Sequence, residues 1–334
     1  MKNFFLLSIL FLLLSACQRK EKPVISFYYW KTIFTLSARE KNILQENEVK
    51  KLYIRYFDID LHLVTKEPVP KSPIRFLHKA TYFTVVPVVY ITNSVLLKKN
   101  VDVQDLAKKT NNLIQQINEK NHIRISEIQI DCDWSLSSRD NYLRFIECLK
   151  KVSQKKLSAT IRLHQIKYFE ETKIPNVDKG VLMYYNMGKI APDSLNSIYD
   201  RNIALKYVSS LKHYPLRINI ALPIYSWGIH IREGKVIGLR NKITFDNLKK
   251  DSSFVLTNNN WLRVRKSNYK NGIYYRKNDF LKQEAISGKD LLQMADDLND
   301  NSKEKPEEII FYDLDEFNIK KYEKNIFEEV SSCF

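Results

Sequence analysis

Residues Glu127–Trp134, EIQIDCDW, read as a β-strand with two unlike faces. Successive side chains of a strand point to opposite sides, so Ile128, Ile130, Cys132 and Trp134 share one face. Gln129, Asp131 and Asp133 share the other. In an α/β barrel the helix-facing side is apolar, which turns the two acids inward. Burying a carboxylate is costly, so each needs a partner or water. Asp133 lies near the C-terminal end of the strand and opens on the face where barrel enzymes keep their sites.

The chain on either side repeats the alternation of β-rich and helical runs. The other strands read as Val24–Trp30, Lys51–Phe57, Phe83–Tyr90, Leu157–Leu163, Gly180–Asn186, Arg217–Ile224 and Glu308–Leu314. These predict an α/β fold, one (β/α)8 TIM barrel over 24–334. Between them, Leu106, Leu113, Ile114 and Ile117 mark one amphipathic helix. Ser137 with Asp140 is an S-x-x-D start for another, continued by Tyr142, Phe145, Ile146 and Leu149. The stretch 228–302 is too long for a βα loop and reads as a β-rich insertion between strands 7 and 8 on the barrel mouth. Glu233-Gly234 and Asn271-Gly272 are its hairpin turns, and a helix over Gly288–Leu298 leads into strand 8.

With 44 % hydrophobic and 28 % charged residues in 334, the composition is globular. Only 7 glycines occur, and neither GxGxxG nor GxxxxGK[ST] is present. The formal charge of +16 fits an anionic partner or a plain solvated surface. Basic residues are spread along the chain without a nucleic-acid-binding signature, so nucleic acid is not an expected partner. Cys132, Cys148 and Cys333 have no metal-ligand spacing, and no two histidines stand at i,i+4. No metal and no cofactor are expected. An oxidising compartment permits a Cys132–Cys148 bridge, but two separate thiols are the preferred reading.

Met1-Lys2, the apolar run Phe4–Leu14 and Ser15-Ala16-Cys17 describe a secretory signal over 1–16. The run is too short for a transmembrane span. Leu14-Ser15-Ala16-Cys17 resembles the bacterial lipobox, which implies lipidation of Cys17 and a polar tether over 17–23. Gln18 in place of Asp implies, by that resemblance, an outer membrane, with the chain facing the periplasm. The expected location is therefore a lipid-anchored position in the cell envelope.

The same strand alternation assembles a site. Strand 5 turns Thr160, Arg162 and His164 inward, making Arg162 a partner for Asp131 or Asp133 and His164 an inner-wall residue. Strand 6 contributes Met183 and Tyr185, and strand 7 ends in Pro223, Tyr225 and Trp227. Strand 8 ends in Asp313, Asp315 and Glu316, and strand 2 adds Asp58 and Asp60. Carboxylates with tyrosines and tryptophans at one barrel mouth suit a sugar, because aromatic faces stack on pyranose rings and acids bind hydroxyls or protonate a leaving oxygen. Asp131, Asp133 and Tyr185 are the catalytic candidates. Trp30, Tyr225, Trp227, Asn186, Asp313 and Asp315 are the substrate-binding ones. A structural ion-pair network is the competing reading for Asp131 and Arg162.

Three segments resemble the glycoside hydrolase family of chitinases. Its strand-4 motif, D-x-x-D-x-D-x-E, is matched in the middle by Asp131-Cys132-Asp133-Trp134. Met183-Tyr184-Tyr185-Asn186 resembles its M-x-Y-D, and Ala221-Leu222-Pro223-Ile224-Tyr225-Ser226 its G-x-P-x-Y-G. A nearer likeness is to an uncharacterised, glycoside-hydrolase-like family of bacterial proteins. It is carried by Gln129–Asp133, by Ser137-Ser138-Arg139 with Tyr142 and Ile146, and by Met183–Gly188. The chitinase resemblance implies attack by the substrate's own acetamide, assisted by the middle acid and the strand-6 tyrosine. The proton donor of that motif, its terminal Glu, is replaced here by Ser135, whose hydroxyl is far too weak an acid.

Three functions stay open on the sequence. One is an envelope-anchored barrel that binds glycan or peptidoglycan without catalysis. Another is a glycoside hydrolase using Asp133 with a relocated acid, and the third is a non-enzymatic envelope scaffold. The oligomeric state is not readable.

Overall fold

The computed structural model describes residues 22–334 apart from Thr244 and Asn259. The expected signal segment and the expected lipidation site, Cys17, lie outside the described residues. Eight parallel strands follow in chain order: β1 (Val24–Tyr29), β2 (Lys51–Leu61), β3 (Thr84–Ile91), β4 (Glu127–Asp131), β5 (Lys156–Arg162), β6 (Lys179–Met183), β7 (Ile218–Pro223) and β8 (Glu308–Tyr312). Each pairs with the next, and β1 pairs with both β2 and β8, which closes the sheet into a barrel. Helices occupy most of the connections, as the alternating pattern predicts.

The two faces of β4 behave as the alternation requires. Ile128 and Ile130 are fully buried outside the sheet, and the Trp134 ring stacks on Tyr142 of the following helix at 4.3 Å. Inside, Tyr28 donates to the Gln129 side-chain oxygen at 2.7 Å, and Thr160 donates to Asp131 at 2.7 Å. The lower barrel is filled by polar groups that satisfy one another. Glu308 accepts from Tyr53 at 2.7 Å and from Lys51 at 3.0 Å, and it also accepts from Ser26. Glu127 accepts from Ser158 at 2.7 Å and pairs with Lys179 at 3.0 Å. Buried charge is tolerable only when it is paired and hydrogen-bonded in this way.

Several local expectations need correction. The helix after β4 spans Arg139–Ser153 with Ser138, not Ser137, at its N-cap. Ser138 makes no capping bond; its hydroxyl donates to Asn93 instead. β5 ends at Arg162, and a short helix, Leu163–Lys167, begins at once, which leaves His164 exposed rather than on the inner wall. β2 outruns its expected end because Pro68–Lys71 folds back on it antiparallel and occupies the hydrogen-bonding groups of Asp58–Leu61. β4 and β8 stop short of Trp134 and Leu314, since their last residues turn into the loops of the mouth.

Beyond β7 an antiparallel sheet of five strands runs from Ser226–Arg232 to Phe280–Ala285, outside the barrel. Phe254, Leu262, Val264 and Leu281 form its own small core. Both expected turns carry positive φ at their central residues, 50° and 74° at Glu233-Gly234 and 51° and 75° at Asn271-Gly272. That geometry matches the right-handed twist of the flanking strands. The helix before β8 spans Gly288–Asn301 and opens on a capping box between Ser287 and Asp290. Cys132, Cys148 and Cys333 are free thiols. Among the described residues no helix is long and apolar enough to cross a membrane.

Candidate functional site

A cleft of about 520 Å³ opens at the C-terminal mouth of the barrel. Trp30 follows β1, Tyr225 and Trp227 follow β7, and Tyr312 ends β8; these four rings line it together with Asp313 and Asp315. The rings brace one another. Trp30 meets Tyr312 edge-on at 5.4 Å, and Tyr225 meets Tyr312 at 5.7 Å and Trp227 at 5.3 Å. Trp227 Nε1 donates to Glu284 of the added sheet at 2.8 Å, which holds the indole in place. Asn186 sits in the left-handed region at φ 56°, a conformation Asn tolerates better than most residues, and its side-chain oxygen accepts from the Tyr225 hydroxyl.

All six residues expected to bind substrate therefore line one cavity: Trp30, Asn186, Tyr225, Trp227, Asp313 and Asp315. Its two carboxyls have opposite environments. Burial, reinforced by the charge of Asp315, pushes Asp313 up to about 6, while Asn318 donates to it at 2.6 Å. Burial also acts on Asp315, but bonds from Lys242 at 2.7 Å and from the Phe317 N–H at 2.9 Å outweigh it and hold that carboxyl below its ordinary range. Lys31 adds a further cation 3.4 Å from Asp315. Glu316 is exposed and outside the cleft wall.

The three catalytic candidates are placed differently. Tyr185 is only 3 % exposed and packs on Tyr312 at 5.4 Å and on Tyr225 at 6.1 Å, behind the rings that face the cavity. Asp131 is 6 % exposed, and burial, helped by the charge of Asp133, pushes its carboxyl up to about 6. Asp133 does not reach the cleft; Arg162 takes both its oxygens, with Nη2 on Oδ2 at 2.6 Å and Nε on Oδ1. Ser135 is turned toward Asn93, which donates to its hydroxyl at 3.3 Å. Asp58 is paired with Arg55, and Asp60 accepts from Thr92 at 2.9 Å. Among the described residues no cluster of His, Cys, Asp and Glu could hold a metal.

Lys31, Lys242, Tyr312 and Asn318 were not among the expected site residues. Tyr312 precedes Asp313 at the strand end, so the end of β8 was its signal. Lys242 comes from the added sheet, 73 residues before its partner Asp315, and nothing local in the sequence marks it.

No protein-family model matches the chain, and no curated protein matches it. Solved structures do. The Bacillus cereus spore cortex-lytic enzyme SleL is 15 % identical with a TM-score of 0.57, over 94 % of this chain and 75 % of that one. A chitinase from Bacteroides thetaiotaomicron is 10 % identical with a TM-score of 0.55, over 93 % and 97 %. The class V chitinase from Nicotiana tobaccum, also solved in complex with NAG4, is 10 % identical with a TM-score of 0.51, over 93 % and 99 %. The chain carries the chitinase-type (β/α)8 barrel, with additional strands outside it.

Proposed function

We propose that this barrel binds glycan, chitooligosaccharide or peptidoglycan, at the aromatic cleft, and that it does so without chitinase-type hydrolysis. In this reading it is held in the envelope by lipid at Cys17, at an outer membrane and facing the periplasm. The observation that carries the binding reading is the open cavity of about 520 Å³ walled by Trp30, Tyr225, Trp227 and Tyr312. Its size falls in the usual range for ligand sites, about 300–1,000 Å³, and its lining combines apolar faces with a few oriented polar groups. Asn186, Asn318 and the two aspartates supply donors and acceptors for sugar hydroxyls. The Nicotiana tobaccum chitinase of this fold, solved in complex with NAG4, makes GlcNAc polymers the first ligands to test.

Two features support loss of the chitinase-type reaction. Ser135 stands where that motif needs its acid, and Asp133 is committed to Arg162. The experiment is a glycan array carrying chitooligosaccharides and muropeptides, with product analysis on the same ligands. Retention that is lost in Trp30→Ala and Trp227→Ala, with the glycans recovered intact, supports the reading. Retention of none of these glycans removes it.

One observation favours a second reading, a hydrolase with a relocated acid. Two carboxyls in one cleft with affinities for protons pushed apart are the usual mark of an acid and a base. Asp313 would give its proton to the glycosidic oxygen as the bond to the anomeric carbon breaks. Water would bond to that carbon and release its proton to Asp315. Reducing ends that accumulate with the parent chain and disappear in Asp313→Asn would establish this in place of simple binding. An equal loss in Asp133→Asn would return the chemistry to the loop that follows β4.

A further inference from the structure

We propose that the N-terminal end of the barrel is a docking surface for the anionic headgroups of the membrane that holds the tether. The proposal rests on the lipid-anchor reading of Cys17. Opposite the aromatic cleft, the first residues of β1, β2, β3, β6 and β8 surround a second cleft, of about 600 Å³. Lys22, Lys50, Lys51, Lys179, Arg217 and Lys305 line it, against two carboxylates, Glu307 and Glu308.

These cations are not equivalent. Lys51 and Lys179 turn inward to Glu308 and Glu127, both at 3.0 Å, and serve the barrel floor. Among the described residues Lys22 and Arg217 make only exposed pairs, with Glu328 at 3.4 Å and Glu307 at 2.9 Å, and such pairs hold weakly in water. Lys50 and Lys305 are exposed and join no ion pair among the described residues. An adjoining cleft shares Arg217 and Lys305 and adds Lys303 and Glu304, one charge of each sign, which leaves the excess of cations at the rim unchanged. The floor is neutralised from within, and its outer edge is left positive.

Chain geometry brings this edge to a membrane. Val24 begins β1 seven residues after Cys17, and seven extended residues span at most about 25 Å. A lipidated Cys17 therefore keeps the start of β1 within that distance of the bilayer. Headgroup charge then acts on the basic rim once it approaches within about 8 Å, the screening length at physiological salt. The six residues of β1 carry the chain about 20 Å onward, so a barrel docked this way holds its aromatic cleft away from the lipid. The docking surface and the glycan cleft occupy opposite ends of one rigid cylinder, so each is available while the other is in use.

The test places the full lipidated chain on vesicles of phosphatidylcholine, alone or mixed with phosphatidylglycerol. Lysines are labelled with an amine reagent and read peptide by peptide. Labelling of Lys50 and Lys305 should fall at least fivefold on the mixed vesicles only, with Lys242 at the mouth unchanged. Equal labelling on both vesicle types while the chain remains attached overturns the proposal. Protection by inorganic phosphate alone also overturns it, since that marks a soluble-anion site. Failure to attach to neutral vesicles disproves the lipid anchor separately. The docking surface then stands or falls on attachment to mixed vesicles, which should weaken about 25-fold in Lys50→Ala/Lys305→Ala at about fivefold per lysine.

Discussion

Arg162 grips Asp133 with two parallel hydrogen bonds, Nη2 to Oδ2 at 2.6 Å and Nε to Oδ1. Two-pronged guanidinium–carboxylate pairs combine strength with fixed geometry. Asp133 is the middle acid of the chitinase-like motif, and in this barrel it serves as the anchor of an inner-wall cation rather than as a free carboxylate at the cleft.

A glutamate placed at position 135 should therefore produce no chitinase-type turnover by itself. Ser135→Glu places a carboxyl near Asn93 and Ser138, while Asp133 stays with Arg162. Release of nitrophenol from a chitobioside should not rise above the parent rate. Turnover in the single variant would show that the Arg162 pair is no obstacle.

Asp131 makes stability depend on pH in a defined direction. Its carboxyl is raised from an ordinary 3.8 to about 6, so the folded state prefers it protonated. Its contribution is fully present below about pH 4 and is lost as pH rises to about 6. Asp131→Asn retains a side-chain oxygen for the Thr160 hydroxyl and removes the penalty. Chemical denaturation should find the variant about 3 kcal/mol more stable than the parent at pH 7 and equal to it near pH 4. A variant less stable at pH 7 would place Asp131 in a different balance of charges.

Trp227 lines the cleft while Glu284 holds its N–H. Trp227→Ala should weaken glycan binding by roughly 2 kcal/mol, about 30-fold, the scale of a buried aromatic anchor. Isothermal titration reads the change directly. Trp227→Phe, which keeps a ring, should recover part of it, whereas a purely structural role for the indole would leave both variants equally defective.

The added sheet has its own electrostatic anchor. Asp279 is buried and accepts from Arg232 at 2.9 Å and 2.8 Å and from His230 at 2.8 Å. Burial raises its carboxyl, but these partners prevail and hold it below its ordinary range, so its contribution is present at neutral pH and lost on acidification below about pH 4. Asp279→Ala leaves Arg232 and His230 without their shared acceptor and should cost roughly 3 kcal/mol at pH 7, read by thermal unfolding. A change within experimental scatter would mean that water replaces the carboxylate there.

Period-two alternation carried most of the fold, because a barrel strand between apolar helices and a polar interior shows its two faces plainly. Gln129, Asp131 and Asp133 on one side and Ile128, Ile130 and Trp134 on the other are that signal. The six cleft residues were legible for the same reason, since each follows the C-terminal end of a barrel strand within a few residues. His164 was misplaced because alternation was carried past Arg162, where the backbone had already turned into a helix. Lys242 was invisible because its role depends on how the added sheet folds over the mouth. Likewise Asp133 and Ser135 appear in the sequence as one motif, while the structure separates their tasks: one pairs with β5, the other meets the Asn93 side chain.

Titration of the chain with chitotetraose and with a muropeptide, followed by tryptophan fluorescence, tests glycan binding at the mouth most directly. Trp30 and Trp227 line the cleft whereas Trp134 is buried against Tyr142, so ligand in the cleft should produce a saturable change that disappears in Trp30→Ala/Trp227→Ala. A flat titration with both ligands, or an equal change in the double variant, would contradict the account.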